Sequence, residues 1–190
     1  MFASLARLIL KLSGWQVQPA GTFPIKPPRC VLAVAPHTSG WDFIIGLLYR
    51  SALQLTNAKY IGKAELFKPP FGFLFRRLGG IPVDRSKRQN LVSEVAAVFT
   101  KHEKFMVALS PEGTRQRVDK LRTGFYNIAR QAGVPIVMVG LDFENKRLIF
   151  SEPLYTGDSM EVDMDMIIRF FAPIKGKKPA LGLSHLLLKN

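Results

Sequence analysis

The sequence predicts an α/β fold: a largely parallel or mixed central sheet flanked by helices, with a short amphipathic helix at the N-terminus. Two observations carry this expectation. Short apolar runs of strand length alternate with longer stretches of helical period. Composition is globular, with 47% hydrophobic and 22% charged residues over 190 positions, and a chain of that length buries about 70% of its unfolded surface without disulfide or metal staples. No internal repeat or composition break marks a second domain. Residues 1–190 are therefore expected to form one domain, with 1–22 as N-terminal helix and linker and 31–140 as the motif-bearing core.

Each element has its own signal. Phe2, Leu5, Leu8, Ile9, Leu12 and Trp15 recur at helical spacing, with Ser4, Arg7 and Lys11 on the other side and Gly14 as the stop. Such a helix either packs on the core or lies in a membrane interface. Pro24, Pro27 and Pro28 give 21–28 the character of a linker. The continuous apolar run 31–35 suits a buried strand. A helix over 41–53 and a strand over 59–61 follow. The segment 66–78 interleaves Phe67, Phe71, Phe73, Leu74 and Phe75 with Lys68, Arg76 and Arg77. It reads either as a core-packed helix with solvated arginines or as a basic, aromatic interface. Strands are expected at 80–83, 105–109, 135–141 and 147–150. Helices are expected at 90–101, at 122–131 with Gly133 as C-terminal stop, and from about 159 to 171, with acidic residues early and Arg169 late as the dipole prefers.

Charge narrows the partners. Lys plus Arg number 27 against 14 Asp plus Glu, a net charge of +13 with an isoelectric point near 10.2, yet mean hydropathy is +0.10. A field of this sign attracts nucleic acid, acidic lipid head groups or phosphorylated small molecules. A chain both basic and mildly hydrophobic leans toward a membrane surface. No run approaches the ~20 apolar residues needed to span a bilayer, and the N-terminus lacks the basic start of a signal peptide, so the protein is expected to be soluble or peripheral. Cys30 is the single cysteine, which excludes an internal disulfide framework. The scattered histidines give no zinc-site spacing.

In open α/β sheets ligands bind beyond the carboxyl ends of strands, and three such places are unusual. After the 31–35 strand comes Pro36-His37-Thr38-Ser39-Gly40-Trp41-Asp42. An imidazole titrating near neutrality can accept a proton there, and Asp42, across a turn, could fold back on it. The same residues also fit a helix-capping box, Ser39 as cap and Asp42 reaching back. Second, Gly79-Gly80-Ile81-Pro82-Val83-Asp84-Arg85 ends in an arginine whose planar fork suits phosphate, or is simply a solvated arginine after a turn. Third, Ser110-Pro111-Glu112-Gly113-Thr114-Arg115 fits a type I turn. The turn leaves Glu112 and Arg115 unexplained, and this pair could bind a polyol hydroxyl and a phosphate. No Walker loop, G-x-G-x-x-G, G-x-S-x-G or H-E-x-x-H is present, which removes support for nucleotide-dependent and serine-hydrolase readings.

Taken together and in order, these segments resemble the glycerolipid acyltransferase family, which includes bacterial 1-acylglycerol-3-phosphate acyltransferases. The family's H-x4-D, G-x-I-P-V-x-R, E-G-T-R and V-P-I-V blocks stand here as His37 to Asp42, Gly79/Gly80 to Arg85, Glu112 to Arg115, and Val134-Pro135-Ile136-Val137. Pro36, Ser110 and Met138 depart from common family residues, and none of them removes a catalytic atom.

The resemblance implies the glycerol-3-phosphate acyltransferase-like sheet and a reaction. An acyl group would pass from a thioester, acyl-CoA or acyl carrier protein, to the free hydroxyl of lysophosphatidic acid or a related lysophospholipid acceptor. His37 would be the general base and Asp42 its orienting partner. Arg85 and Arg115 would meet the acceptor phosphate, and Glu112, Gly113 and Thr114 belong to the loop that shapes the acceptor pocket. No cofactor or metal is implied. The expected place is the cytoplasmic side of a membrane, held peripherally. The alternatives are another lysolipid acceptor, such as an amino-acid-linked lipid, or a non-catalytic basic module binding membrane or nucleic acid. Nucleic acid is the least expected partner, because base stacking leaves the His37/Asp42 and Glu112/Arg115 blocks unexplained.

Overall fold

The computed structural model describes residues 2–18, 27–83 and 88–189. Helix α1 (Phe2–Leu12) is followed by β1 (Gln16–Gln18), β2 (Arg29–Ala35), α2 (Trp41–Ala52), β3 (Ala58–Lys63), α3 (Gly72–Arg77), β4 (Gly80–Val83), α4 (Arg88–Thr100), β5 (Phe105–Leu109), α5 (Gly124–Ala132), β6 (Ile136–Asp142), β7 (Arg147–Phe150) and α6 (Met160–Phe171). Among the described residues the seven strands form one sheet in the order β1-β7-β6-β2-β5-β3-β4. Only β6 and β7 run antiparallel, and every other pair is parallel. This is the mixed α/β sheet the alternation of periods predicts.

Why these residues make a two-faced sheet is clearest in β2. Val31, Ala33 and Ala35 point into one core with Phe99, Val107, Phe125, Ile128, Ile136, Ile167 and Phe171. Cys30 and Leu32 point into the other, with Ala6, Leu10, Ile45, Tyr49, Val137 and Leu148. Both faces are covered, so the strand is apolar throughout rather than alternating. Burial pushes the Cys30 thiol up to about 12, so it stays protonated and inert.

The order of strands positions the site. β2 lies between β5 and β6. The chain leaves β2 toward β3 and β4, then returns across β2 to reach β6. The carboxyl ends of β2 and β5 thus lie side by side at a switch in winding direction, where ligands bind in such sheets.

Local signals hold well at several ends. Gly133 caps α5 in the left-handed region at φ +62°, with Val134 N–H returning to Ala129 O at 3.1 Å. Ser159 caps α6, its Oγ accepting Val162 N–H at 3.4 Å. Asp163 does more than favour the dipole. It is buried and accepts the Tyr126 hydroxyl and the Gly157 N–H, both at 2.7 Å, fastening α6 to α5.

Three places differ from expectation. β1 pairs parallel to β7 although its sequence, Gln-Val-Gln, carries no strand signal. The segment 66–78 is broken at Pro69-Pro70 into a 3-10 turn (Ala64–Phe67) and the short α3, because a proline disfavours helical backbone before it. Its Phe67 is buried, with Arg76 over the ring at 5.5 Å, while Phe71 and Phe73 are exposed. Helix α1 buries Ala6 and Leu10 against the body of the protein, and Arg7 Nε donates to Ala52 O of α2 at 2.9 Å. Phe2, Leu5, Leu8, Ile9 and Leu12 face outward. Trp15 leaves that stripe and packs edge-on against Tyr49 and Phe143. Most of the linker expected over 21–28 lies outside the described residues.

Candidate active site

The turn after β2 is built around one carboxylate. Asp42 is 3% exposed and sits in the first turn of α2, where the positive end of the helix suits a negative charge. Its Oδ2 accepts the N–H groups of Thr38 and Ser39, both at 2.7 Å, and stands 3.2 Å from His37 Nδ1. Its Oδ1 accepts the Ser39 hydroxyl at 3.2 Å. The helix cap is Gly40 rather than Ser39, and Ser39 Oγ instead accepts Trp41 N–H at 3.1 Å. The capping and orienting readings of Asp42 are therefore one arrangement. The carboxylate reaches back to the turn's main chain and holds the imidazole with the same oxygen.

His37 is half-buried and presents its other nitrogen outward. Arg115 Nε–H points at His37 Nε2 at 3.4 Å. A carboxylate at Nδ1 and a donor at Nε2 select the tautomer with the proton on Nδ1. Nε2 then carries the lone pair, on the partly exposed side where Arg115 stands.

The turn after β5 closes the other side. Gly113 N–H returns to Ser110 O at 3.1 Å, as the type I turn requires. Gly113 has φ +65°, and a Cβ there would stand 2.7 Å from Arg122 Cδ. The positive φ calls for glycine, and the flexible Arg122 side chain lies close against it. Thr114 Oγ1 accepts Gln116 N–H at 3.3 Å and steadies the loop that carries Arg115. Glu112 is 1% exposed. Its oxygens accept the His37 N–H at 3.0 and 2.8 Å, and Oε2 also accepts the Ser110 hydroxyl at 3.1 Å. The carboxylate is committed to the His37 main chain rather than offered at the surface. Burial pushes its pKa up to about 7, against the opposing pull of the His37 and Ser110 hydrogen bonds.

The structure thus brings together His37, Asp42, Glu112, Gly113, Thr114 and Arg115, which arrive from two neighbouring strands. Arg85 lies outside the described residues, two positions beyond the end of β4 at Val83. Sequence reasoning missed Arg122, whose N–H donates to Pro111 O at 2.7 Å. It also missed Thr38 and the segment around Gly176 that covers it. Nothing in their spacing signals that contact. Among the described residues no group of three His, Cys, Asp or Glu could hold a metal ion.

An imidazole held by a buried carboxylate above adjoining strand ends is an arrangement that could accept a proton from a ligand on an α/β sheet. The chain belongs to the acyltransferase family, whose model matches residues 14–142. It is 30% identical over 148 residues to the 1-acyl-sn-glycerol-3-phosphate acyltransferases of Salmonella typhimurium and Salmonella typhi, a match covering 70% of this chain and 59% of each relative. It is 31% identical over 111 residues to the Escherichia coli K12 protein of the same description, covering 56% and 44%. The chain spans about three-fifths of the length of the Salmonella relatives. In the crystal structure of the Thermotoga maritima 1-acyl-sn-glycerophosphate acyltransferase PlsC the same fold recurs, with a TM-score of 0.60 at 19% identity over 89% of this chain and 75% of that one.

Proposed function

We propose that the protein transfers a fatty acyl group from a thioester, on coenzyme A or acyl carrier protein, to the free hydroxyl of lysophosphatidic acid or a closely related lysophospholipid, as a step in phospholipid synthesis. The observation that carries this is the orientation of His37: Asp42 holds Nδ1, and Nε2 faces the open side beside Arg115. The likeness to 1-acyl-sn-glycerol-3-phosphate acyltransferases supports the substrate class.

The chemistry follows from that geometry. His37 Nε2 takes the proton of the acceptor hydroxyl as its oxygen attacks the thioester carbonyl. A C–O bond forms, the carbonyl becomes an oxyanion, and its collapse breaks the C–S bond. The proton on His37 passes to the departing thiolate, so no acyl-enzyme is required. Asp42 stabilises the imidazolium formed between these steps. Proton transfer of this kind contributes roughly 10²- to 10⁴-fold in rate.

Arg115 has a second part. At rest its guanidinium lies against Nε2. An acceptor phosphate is a better partner for that cation than a neutral imidazole, so acceptor binding draws Arg115 aside and frees the lone pair. Arg85 supplies the second phosphate contact in this reading. Gly113 and Thr114 fix the loop, and Glu112 holds the His37 main chain from within.

Both substrates are amphiphiles, and the surface suits them. No described helix is long and apolar enough to cross a membrane. Outward-facing Phe2, Leu5 and Ile9 of α1 adjoin exposed Ile44 of α2 across an apolar groove of about 310 Å³, and Leu8 and Leu12 extend the exposed apolar surface of α1. Phe71, just before α3, and Phe73 within it add exposed aromatic surface next to the turn that carries Arg76 and Arg77. Peripheral attachment to the cytoplasmic face of an anionic bilayer, apolar residues inserted and cations at the head groups, accounts for both patches and for the net charge.

The test is a transfer assay on purified protein with lysophosphatidic acid, separate acyl-coenzyme A and acyl carrier protein donors, and a panel of other lysolipids, amino-acid-linked ones included. Phosphatidic acid formed with either donor supports the reading. Product only with another lysolipid moves the acceptor. Silence across the panel from folded protein overturns it in favour of a binding module.

A further inference from the structure

We infer that Thr38 is a positioning residue for His37, held by a strap formed from residues 174–178. What it positions rests on the proposed function. That it is held rests on geometry alone.

Thr38 follows the candidate base and is 2% exposed. Its N–H donates to Asp42 Oδ2 at 2.7 Å, the same oxygen that faces His37 Nδ1 at 3.2 Å. Any movement of Thr38 therefore moves the atom that orients the imidazole. The Thr38 side chain is gripped from 140 residues away: its Oγ1 accepts Lys178 N–H at 3.1 Å. Gly176 lies flat against it. A Cβ at 176 would stand 2.7 Å from Thr38 Oγ1, 2.8 Å from its Cγ2 and 3.3 Å from Pro36 Cβ. A β-branched side chain is stiff at χ1 and cannot fold away, so glycine at 176 is required by close approach.

The strap is itself anchored. Ile174 is buried, and its Cδ1 fills the place where a Cβ on Gly140 of β6 would fall. Lys175 O accepts Phe143 N–H at 2.8 Å, and Lys175 Nζ pairs with Glu144 at 2.8 Å. The strap thus runs from the end of α6, across the end of β6, onto the turn after β2. The turn is fixed from both neighbouring strands. Glu112 holds the His37 N–H from the β5 side, and the strap holds Thr38 from the β6 side. The open side is the one on which Arg115 stands.

The experiment compares the parent with Thr38→Val, which removes the acceptor, Thr38→Ser, which keeps it, and Gly176→Ala, which crowds it. The first readout is amide hydrogen exchange at positions 38 and 39, whose N–H groups rest on Asp42. Exchange should be about tenfold faster or more in Thr38→Val and Gly176→Ala, and parental in Thr38→Ser. The second is acyl transfer. A displaced base lowers kcat by about 10- to 100-fold, while KM for the acceptor stays within about twofold because no binding contact is touched. Parental exchange and kcat in both Thr38→Val and Gly176→Ala overturn the inference. So does a loss in Thr38→Val that Thr38→Ser shares. If Thr38→Val fails to fold, Thr38→Ser and Gly176→Ala decide. If the parent transfers no acyl group to any lysolipid, the proposed function fails, and the exchange comparison alone decides the strap.

Discussion

Both carboxylate oxygens of Glu112 lie on the main-chain N–H of His37, at 3.0 and 2.8 Å, from 75 residues downstream. The carboxyl of a motif that reads as ligand-binding is turned inward, where it ties the end of β5 to the turn after β2. It does so at a cost, because burial raises its pKa to about 7.

That cost sets a pH dependence. Glu112 has a folded pKa above its unfolded value of 4.5. Its favourable contribution is full below the unfolded value and is lost as pH rises through about 7, the buried group then being forced to ionise. The difference is worth roughly 3 kcal/mol at most. Glu112→Gln keeps an acceptor for His37 N–H and removes the titration. The parent's thermal midpoint should fall by several degrees between pH 5 and pH 8 relative to Glu112→Gln. Parallel curves would refute the buried-carboxyl account.

Asp42 separates chemistry from folding. Asp42→Asn retains an oxygen for the turn's N–H groups but loses the charge that stabilises an imidazolium. Transfer should fall about 10²- to 10⁴-fold with the thermal midpoint little changed. Asp42→Ala leaves the Thr38 and Ser39 N–H groups unpaired, adding roughly 1–3 kcal/mol of destabilisation for the buried Thr38 N–H and less for the half-buried Ser39 N–H. Equal stability of the two variants, read by denaturant unfolding, would contradict this assignment.

Gly113→Ala should act through backbone and contact together. At φ +65° a side chain is strained, and its Cβ would meet Arg122. A loss of roughly 1–3 kcal/mol in denaturant unfolding is expected, with reduced transfer because Glu112 and Arg115 flank the displaced residue. Full activity and parental stability would remove the need for this turn geometry.

Leu5, Leu8 and Leu12 are outward-facing on α1. Leu5→Glu/Leu8→Glu should leave the thermal midpoint unchanged. Sedimentation with anionic vesicles should weaken at least tenfold, since each leucine buried in the bilayer contributes about 1.5–3 kcal/mol. The remaining attraction should fade as salt shortens the Debye length from ~10 Å at 0.1 M to ~3 Å at 1 M. Vesicle binding indifferent to the double substitution would dismiss α1 as the contact.

Much of this molecule is legible in its sequence where the physics is local. β2, β5, β6 and β7 show as apolar runs, Gly133 and Ser159 mark helix ends, and the His37–Asp42 spacing places both groups on one turn. Contacts that depend on distant chain are silent. Periodicity shows that α1 has an apolar face but not which side is covered, and Ala6 and Leu10 are the residues of α1 that become buried. Gln16–Gln18 becomes a strand only because β7 offers it a free edge. The inward turn of Glu112 requires knowing that β5 neighbours β2. The Thr38–Gly176 contact pairs two small residues with no shared motif.

In the proposed reaction His37, held by Asp42, removes the acceptor's hydroxyl proton. The most direct test is steady-state acyl transfer by His37→Ala beside the parent, at saturating thioester and lysophosphatidic acid, with folding checked by circular dichroism. A fall in kcat of about 10²- to 10⁴-fold is expected, with intact structure and retained vesicle binding. Transfer by folded His37→Ala within a few-fold of the parent would contradict it.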